Sequence, residues 1–495
     1  MALDAFLTQA AGALGAANVL RDPALLSALA TPDFAPSGLC RPGSIEELAA
    51  LVRLAAEARV PLVPCGGFTA MSLGARAPKD AVAVSLQRLD QMVAYEPSDL
   101  VATAQAGMSF GAFDETLFEH GQCLPLDAPG TSTLGGLCAT NRSGPRRFLY
   151  GTLRDHVLGL TYVTGDGVIR KCGGRVVKNV TGYALEKLQL GALGTLGILA
   201  EVTVKLRPRA ETQSVQELSA PDFDAGFAAV RELAARLPFS AVAVTFPGKP
   251  FSAQFGIEAS PPDHARLLRE LEDAAAALGG ELHETGALEV DADFFPAQPR
   301  RLQALELPGG QLFSPVLAAR LSWSARPGDF LEQARKLDVL AGDAGFGFFM
   351  GFFEFPAHFV AELYFPQGFS PKSASAVLRA VKPAAALPAV GSTTSAAGPS
   401  TNATDAASSG AAPAPSRSNV VAAVTPATGA PNIDLVLREL RASGCAVSVL
   451  WRAPNLALAE PVFGPPRAEW DWMRKLKTEF DPHRILNPNR FITGI

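Results

Sequence analysis

Residues 191–208 read GALGTLGILAEVTVKLRP. Gly191, Gly194 and Gly197 stand three residues apart, and a run of β-formers follows. Glycine allows close backbone approach and φ values that other residues avoid, so the stretch invites comparison with nucleotide-binding loops. The dinucleotide fingerprint of doubly wound folds is G-x-G-x-x-G; it follows a strand and opens a helix facing the pyrophosphate. Here the spacing is G-x-x-G-x-x-G, helix-like ALEKLQL comes before it, and strand-like ILAEVTVKL comes after. The order is reversed. The pattern G-x-x-x-x-G-K-[ST] is absent from the chain too. A nucleotide bound at this loop therefore requires a different fold.

Two loops of the same texture lie upstream, PCGGFTAMSLGA at 64–75 and PGTSTLGGLCATNRSGPRR at 129–147. Backbone nests bind anions without lysine. One such loop indicates a turn; three in one stretch point to a shared ligand. The segments between them mix helix and strand. Ser44 and Glu47 form a capping box ahead of the helical SIEELAALVRLAAEA. VPLVP and DAVAVSL are strands flanking the first glycine loop, a β–turn–β arrangement. LVATAQAG is a strand, and MSFGAFDETLFEHG a helix closed by Gly121. LGLTYVTGDGVIR at 158–170 is a hairpin turning at Gly-Asp-Gly.

A chain of 495 residues, 48% hydrophobic, exceeds one ordinary domain. Its net charge of −5 argues against nucleic acid as the main partner, which would demand an excess of Lys and Arg. The six cysteines show no C-x-x-C pair, so no local zinc or iron–sulfur ligand set is visible and no metal is expected. The opening MALDAFLTQAAGALGAANVLRD has no basic residue before Arg21, and no run reaches the roughly 18 apolar residues of a membrane span. A cytoplasmic location is expected, with at most peripheral membrane association through partners. After Pro208 strand-like and helical stretches alternate as in a second α+β domain. Residues 383–431 are nearly all small or polar, and read as a disordered insert within that domain.

The chain from about Gly38 to Pro208 resembles the FAD-binding domain of the vanillyl-alcohol oxidase (PCMH-type) flavoproteins. The block from TLGGLCATNRSGPRRFLYGT to GALGTLGILAEVTVKLRP looks specifically like the FAD-binding subunit of glycolate oxidase. The family's usual tail, Asp-Pro followed by Asn-Pro and an aromatic, appears as FDPHRILNPNRF at 480–491. The resemblance implies an α+β fold: a PCMH-type, two-subdomain FAD-binding domain over 1–210, an α+β cap over 211–465, and a tail over 466–495 returning to the first domain. By position, the family's pyrophosphate loop falls on Gly66, Gly67, Phe68 and Thr69. Its second FAD segment falls on Thr133, Gly135, Gly136, Asn141, Ser143 and Gly144. Gly151 and Asp155 fall where the flavin ring or ribityl chain is contacted, and Gly194, Thr195, Gly197 and Ile198 form the last loop.

The first loop contains no histidine, so FAD binding is expected to be non-covalent. The tail has Asn489 where glycine is common in the family; Asn can still adopt φ > 0. Family members that oxidise hydroxy acids themselves carry a motif near H-x-G-D-G-N-x-H and a later Glu-His pair. None of the six histidines here, at 120, 156, 264, 283, 358 and 483, stands in such a motif. His358 is the best placed of them, against a structural role beside a strand. Arg146, Arg147 and Arg154 are candidates to meet an anion near the flavin, against a salt bridge from one of them to Asp155. Lys178 and Tyr183 compete with a helix-entry reading of KNVTG.

The resemblance thus implies a subunit of a complex turning glycolate into glyoxylate, accessory or electron-relaying in role. Its partners would be a homologous flavoprotein subunit and an iron–sulfur subunit. A self-sufficient FAD-dependent dehydrogenase or oxidase, and a scaffold that has lost FAD, stay open.

Overall fold

The computed structural model describes residues 2–31, 33–71, 73–175, 183–246, 251–286, 305–307, 311–313, 317–325, 348–355, 358–366, 437–438, 441–442, 446–452 and 462–492, with the strands from 305 to 452 as backbone. The expected insert over 383–431 and Lys178 lie outside these residues.

Ser44 caps the helix Ile45–Ala58, its hydroxyl accepting from the Glu47 N–H at 3.1 Å. The Glu47 carboxylate reaches back to the N–H of Gly43 at 2.7 Å, one residue before the cap. This helix buries Leu48, Leu51, Val52 and Ala55 in a core shared with Leu62, Val82 and Val84. Those last three belong to a four-stranded sheet of β1 (Val19–Leu20), β2 (Leu39–Cys40), β3 (Leu62–Cys65) and β4 (Val82–Ser85), ordered β1-β2-β4-β3.

Here the β–turn–β expectation needs correction. β3 and β4 are parallel, Leu62 facing Val82 and Cys65 facing Ser85. Parallel neighbours require a long crossover rather than a tight turn, and the chain from Gly66 to Ala81 supplies it. The first glycine loop is that crossover.

The second sheet holds β5 (Met92–Glu96), β6 (Val101–Gln105), β8 (Val157–Val163), β9 (Ile169–Gly173) and β10 (Ile198–Lys205), in the order β5-β6-β10-β8-β9 and antiparallel throughout. The short β7 (Gln122–Cys123) pairs apart from it with β11 (Arg207–Pro208). Val202 and Val204 of β10 enter a core with Ala102, Ala104 and Leu160, because a β-bulge between Leu199 and Glu201 shifts the alternation of faces there. Ile198 and Ala200 point the other way, into the core under the first sheet. β10 is gripped on both faces, and it begins where the last glycine loop ends.

The third sheet has eight strands: β12 (Thr212–Ala220), β13 (Ala241–Phe246), β14 (Phe251–Ala259), β15 (Glu281–Gly286), β18 (Leu317–Ala325), β19 (Phe348–Phe355), β20 (His358–Pro366) and β21 (Ala446–Arg452), ordered β15-β12-β14-β13-β19-β20-β18-β21. A separate small hairpin joins β16 (Leu305–Leu307) to β17 (Gln311–Phe313). The helices Phe223–Arg236 and Pro261–Leu278 bury Phe227, Val230, Leu267 and Leu271. Tyr150, from the stretch between the second and third glycine loops, donates to Glu258 of β14 at 2.8 Å.

The chain then returns. The helix Glu469–Phe480 leads into a segment that lies along β3: the Leu62 N–H donates to Ile485 O and the Asn487 N–H to Leu62 O, both at 2.7 Å. Asn489 has φ +65, as its replacement of glycine requires. Among the described residues no helix is long and apolar enough to cross a membrane.

His156 is fully buried, its Nε2 3.0 Å from the Tyr150 carbonyl. Burial, with Lys205 and Arg207 nearby, pushes its pKa below the usual 6.5 although the Tyr150 bond works the other way. The unfolded chain therefore binds a proton before the folded one does, and stability falls as pH drops below about 6.5. A pH series of melting temperatures should show this slope, and His156→Gln should flatten it. An unchanged slope in the variant would assign the acid sensitivity elsewhere.

Candidate functional site

The three glycine loops meet around one open cavity, with about 760 Å³ of atom-free space including its mouth, within the usual range for small-molecule sites. The first loop leaves β3 at Gly66 and Gly67. A Cβ on Gly66 would run into the Thr133 hydroxyl, and one on Gly67 into the Thr131 carbonyl. Glycine is required because the second loop presses against the first. Thr69 and Ser132 share a hydroxyl hydrogen bond of 3.0 Å across the same seam. Phe68 adopts φ +59, an uncommon conformation for a non-glycine residue.

The second loop enters the helix Leu134–Thr140, whose cap is Thr133, accepting from the Gly136 N–H at 3.3 Å. Gly135 lies so close to β6 that a Cβ would sit 2.8 Å from that of Ala106. The last loop contributes Leu193, Gly194 and Gly197 to the lining. Gly194 has φ +70, and a Cβ there would come 2.7 Å from Cγ of Pro64, at the root of the first loop.

Gly66, Gly67, Phe68, Thr69, Thr133, Gly135, Gly136, Gly194 and Gly197 all border the cavity. The other positions carried over from the resemblance do not. Thr195 is buried behind it, its hydroxyl donating to Ala192 O at 2.6 Å, and Ile198 is core. Asn141 ends its helix in the left-handed region at φ +46, and Ser143 accepts from the Leu153 N–H at 2.9 Å. Gly144 leaves room for Asp127, which a Cβ there would strike. Gly151, at φ +82, abuts the Asp155 carboxylate. That carboxylate caps the helix Leu153–His156, accepting from the N–H and hydroxyl of Thr152, each at 2.8 Å. Burial raises the Asp155 pKa, but the Thr152 bonds outweigh it and hold the carboxyl below its ordinary range.

The basic candidates are also redistributed. Arg146 holds Asp127, Nε to Oδ1 at 2.6 Å and N–H to Oδ2 at 2.8 Å, and its guanidinium lies 3.6 Å from Glu258. Arg147 donates to Ser143 O and Gly144 O, and Arg154 to Lys187 O at 2.9 Å. The salt bridge weighed for Asp155 is thus found at Asp127 instead, because the buried carboxylate gains more from a charged donor than the half-exposed one does. Tyr183 is 93% exposed. His358 opens β20 opposite Phe355.

Sequence reasoning returned the tail to the first domain but named none of its residues at the site. Asn487 and Arg490 line the cavity, and among its described lining residues Arg490 alone is charged. Its guanidinium donates to Ala75 O at 2.9 Å, and to Met71 O and Leu73 O. The motif NPNRF was visible, but nothing local ties it to a loop more than 400 residues earlier. Cys65 also faces the cavity; burial pushes its thiol up to about 12, so it stays protonated and unreactive.

Residues 36–173 match the family model described as FAD binding domain. The chain carries a PCMH-type FAD-binding domain. FAD is its cofactor, and the site fits it. A groove walled by close-set backbone, with glycines where a Cβ would strike the neighbouring loop and one buried cation beside the first loop, suits a long anionic dinucleotide. D-2-hydroxyglutarate dehydrogenase of Xanthomonas citri pv. viticola is 39% identical over 191 residues, 38% of this chain and 40% of that protein. D-lactate dehydrogenase of Archaeoglobus fulgidus is 32% identical over 43% of this chain and 48% of its own. Glycolate oxidase subunit GlcD of Bacillus subtilis is 31% identical over 42% and 45%. The chain therefore spans less than half the length of these curated relatives. Among solved structures, 4-ethylphenol oxidase from Gulosibacter chungangensis superposes with TM-score 0.69 over 99% of this chain and 97% of that one, at 13% identity. p-Cresol methylhydroxylase gives 0.67 over 100% and 97%, at 15%. These two establish the fold of the FAD-binding domain and the sheet beyond it.

Proposed function

We propose that this chain is a FAD-dependent oxidoreductase acting on a small 2-hydroxy acid, and that it serves as the FAD-binding subunit of a glycolate-oxidising complex. The observation that carries the reading is the cavity closed by three glycine loops in a region related to the three 2-hydroxy-acid enzymes named above. Bound FAD supplies a ring able to accept hydride from the hydroxyl-bearing carbon. The loops hold it non-covalently: no described lining residue is a histidine, and Cys65 is a poor nucleophile. Among the described residues that line the cavity, none is a histidine or carboxylate able to take the hydroxyl proton. None of the five described histidine side chains lines the cavity: His156 faces the Tyr150 carbonyl, His264 Ser214 at 2.7 Å and His283 Glu281 at 3.0 Å, His120 meets the Tyr95 ring edge-on, and His483 lies in the tail. This favours an accessory or relay role beside a homologous flavoprotein subunit and an iron–sulfur subunit.

The relatives named D-2-hydroxyglutarate and D-lactate dehydrogenase favour a second reading, a self-sufficient dehydrogenase with its base in the cap. Anaerobic stopped-flow mixing of the isolated, FAD-loaded chain with glycolate, D-lactate and D-2-hydroxyglutarate separates the two. Flavin reduction in the isolated chain should be slower than in the complex by about the 10²–10⁴-fold that a positioned base supplies. Rapid bleaching of the isolated chain by any of the three acids would sink the accessory role and leave the second reading standing.

A further inference from the structure

Two buried polar atoms of residues that line the cavity have no hydrogen-bond partner: Asn487 Oδ1 and Arg490 Nε. Their residues are only 6% and 3% exposed. Buried polar atoms are almost always paired, and an unpaired guanidinium N–H is the more costly of the two. Every other polar atom of the two side chains has a partner. Asn487 Nδ2 donates to Leu193 O in the last glycine loop. The two terminal nitrogens of Arg490 hold three carbonyls of the first loop, and its own carbonyl accepts from the Ala75 N–H at 3.0 Å. The tail thus ties the first loop to the last across the cavity, and each tether leaves one polar atom over.

We propose that Asn487 and Arg490 bind FAD directly. Arg490 Nε donates to a pyrophosphate oxygen, since it belongs to the one buried cation of the described lining and stands beside the loop assigned to phosphate. Asn487 Oδ1 accepts from a hydroxyl or N–H of the cofactor, in either its flavin–ribityl or its adenosine half. The inference rests on FAD being the ligand of this cavity.

The test uses apoprotein of the full chain with Asn487→Ala and Arg490→Lys, titrated with FAD and with riboflavin by quenching of flavin fluorescence. Melting temperatures are recorded for each with and without FAD. Arg490→Lys keeps a cation but loses Nε, so FAD should bind at least about tenfold more weakly. Riboflavin, which has no phosphate, should bind within about twofold of the parent's affinity. Asn487→Ala should weaken FAD about tenfold; an equal loss for riboflavin assigns its partner to the flavin–ribityl half, and no loss assigns it to the adenosine half. In both variants the FAD-induced rise in melting temperature should shrink by more than the apoprotein's own melting temperature falls. Unchanged FAD affinity, or a lower apoprotein melting temperature with an undiminished FAD-induced rise, would reduce the tail to a structural clasp. A parent chain that binds no FAD would overturn the cofactor assignment itself.

Discussion

A single methyl at Gly67 should empty the site of FAD: Gly67→Ala should purify with less than about a tenth of the parent's flavin, a shift of 1.4 kcal/mol or more in binding. The clash arises at Cβ itself, because the atom in the way is the backbone carbonyl of Thr131. Backbone cannot rotate aside as a side chain can, so the first and second loops must part. Overpacking of this kind costs about 1–3 kcal/mol, and both loops line the cavity. Alanine should therefore do nearly as much damage as valine. Gly12→Ala is the control, since a Cβ there meets nothing within 4 Å. Flavin absorbance per chain is the readout, with circular dichroism to confirm that the sheets persist. Full flavin content in Gly67→Ala would show that this seam is not part of the cofactor site.

Such a site is legible in sequence where backbone geometry dictates residue type. Gly66, Gly67 and Gly194 could be read because any Cβ would collide there, and Gly194 also needs positive φ. β10 could be read because β-formers, Ile198, Val202, Thr203 and Val204, dominate the stretch. Strand direction could not: β3 and β4 have the same local pattern whether parallel or antiparallel, and only the crossover length tells them apart. The arginines show the same limit. Arg146 stands next to glycines in a loop that looks anion-binding, yet its partners Asp127 and Glu258 are distant in sequence. Nearness in sequence suggested Asp155. Ser143 and Gly144, which the resemblance places at FAD, also serve packing: one accepts from the Leu153 N–H and the other leaves room for Asp127. Small residues serve a ligand and serve tight packing equally well, and composition does not distinguish the two.

Breaking one ion pair under the last loop should cost more stability than any surface change. Lys477 and Asp481 meet at 2.7 Å with side chains 1% and 0% exposed. Lys477 also donates to Thr195 O at 2.8 Å and Leu486 O at 2.7 Å. Asp481 accepts from the N–H groups of Ile485 at 3.1 Å and Leu486 at 2.8 Å. The pair thus fastens the terminal helix, the tail strand along β3 and the last glycine loop together. Removing one partner of a buried pair strands the other charge and costs about 3–5 kcal/mol, whereas replacing both with apolar residues of similar size can be nearly neutral. Asp481→Ala should therefore lower the melting temperature sharply and weaken FAD binding through the Thr195 contact. Lys477→Met combined with Asp481→Leu should recover much of the loss. pH adds an independent signature. Burial already lowers the Lys477 pKa, with Asp481 opposing the shift; without Asp481 it falls further. The unfolded chain then holds a proton that the folded one has released, so Asp481→Ala should regain stability as pH rises toward the ordinary lysine value of about 10.4. Thermal melts of parent, single and double variants across that range decide the matter. A single variant as stable as the parent, or a double variant no better than the single, would show that this pair contributes little to holding the tail.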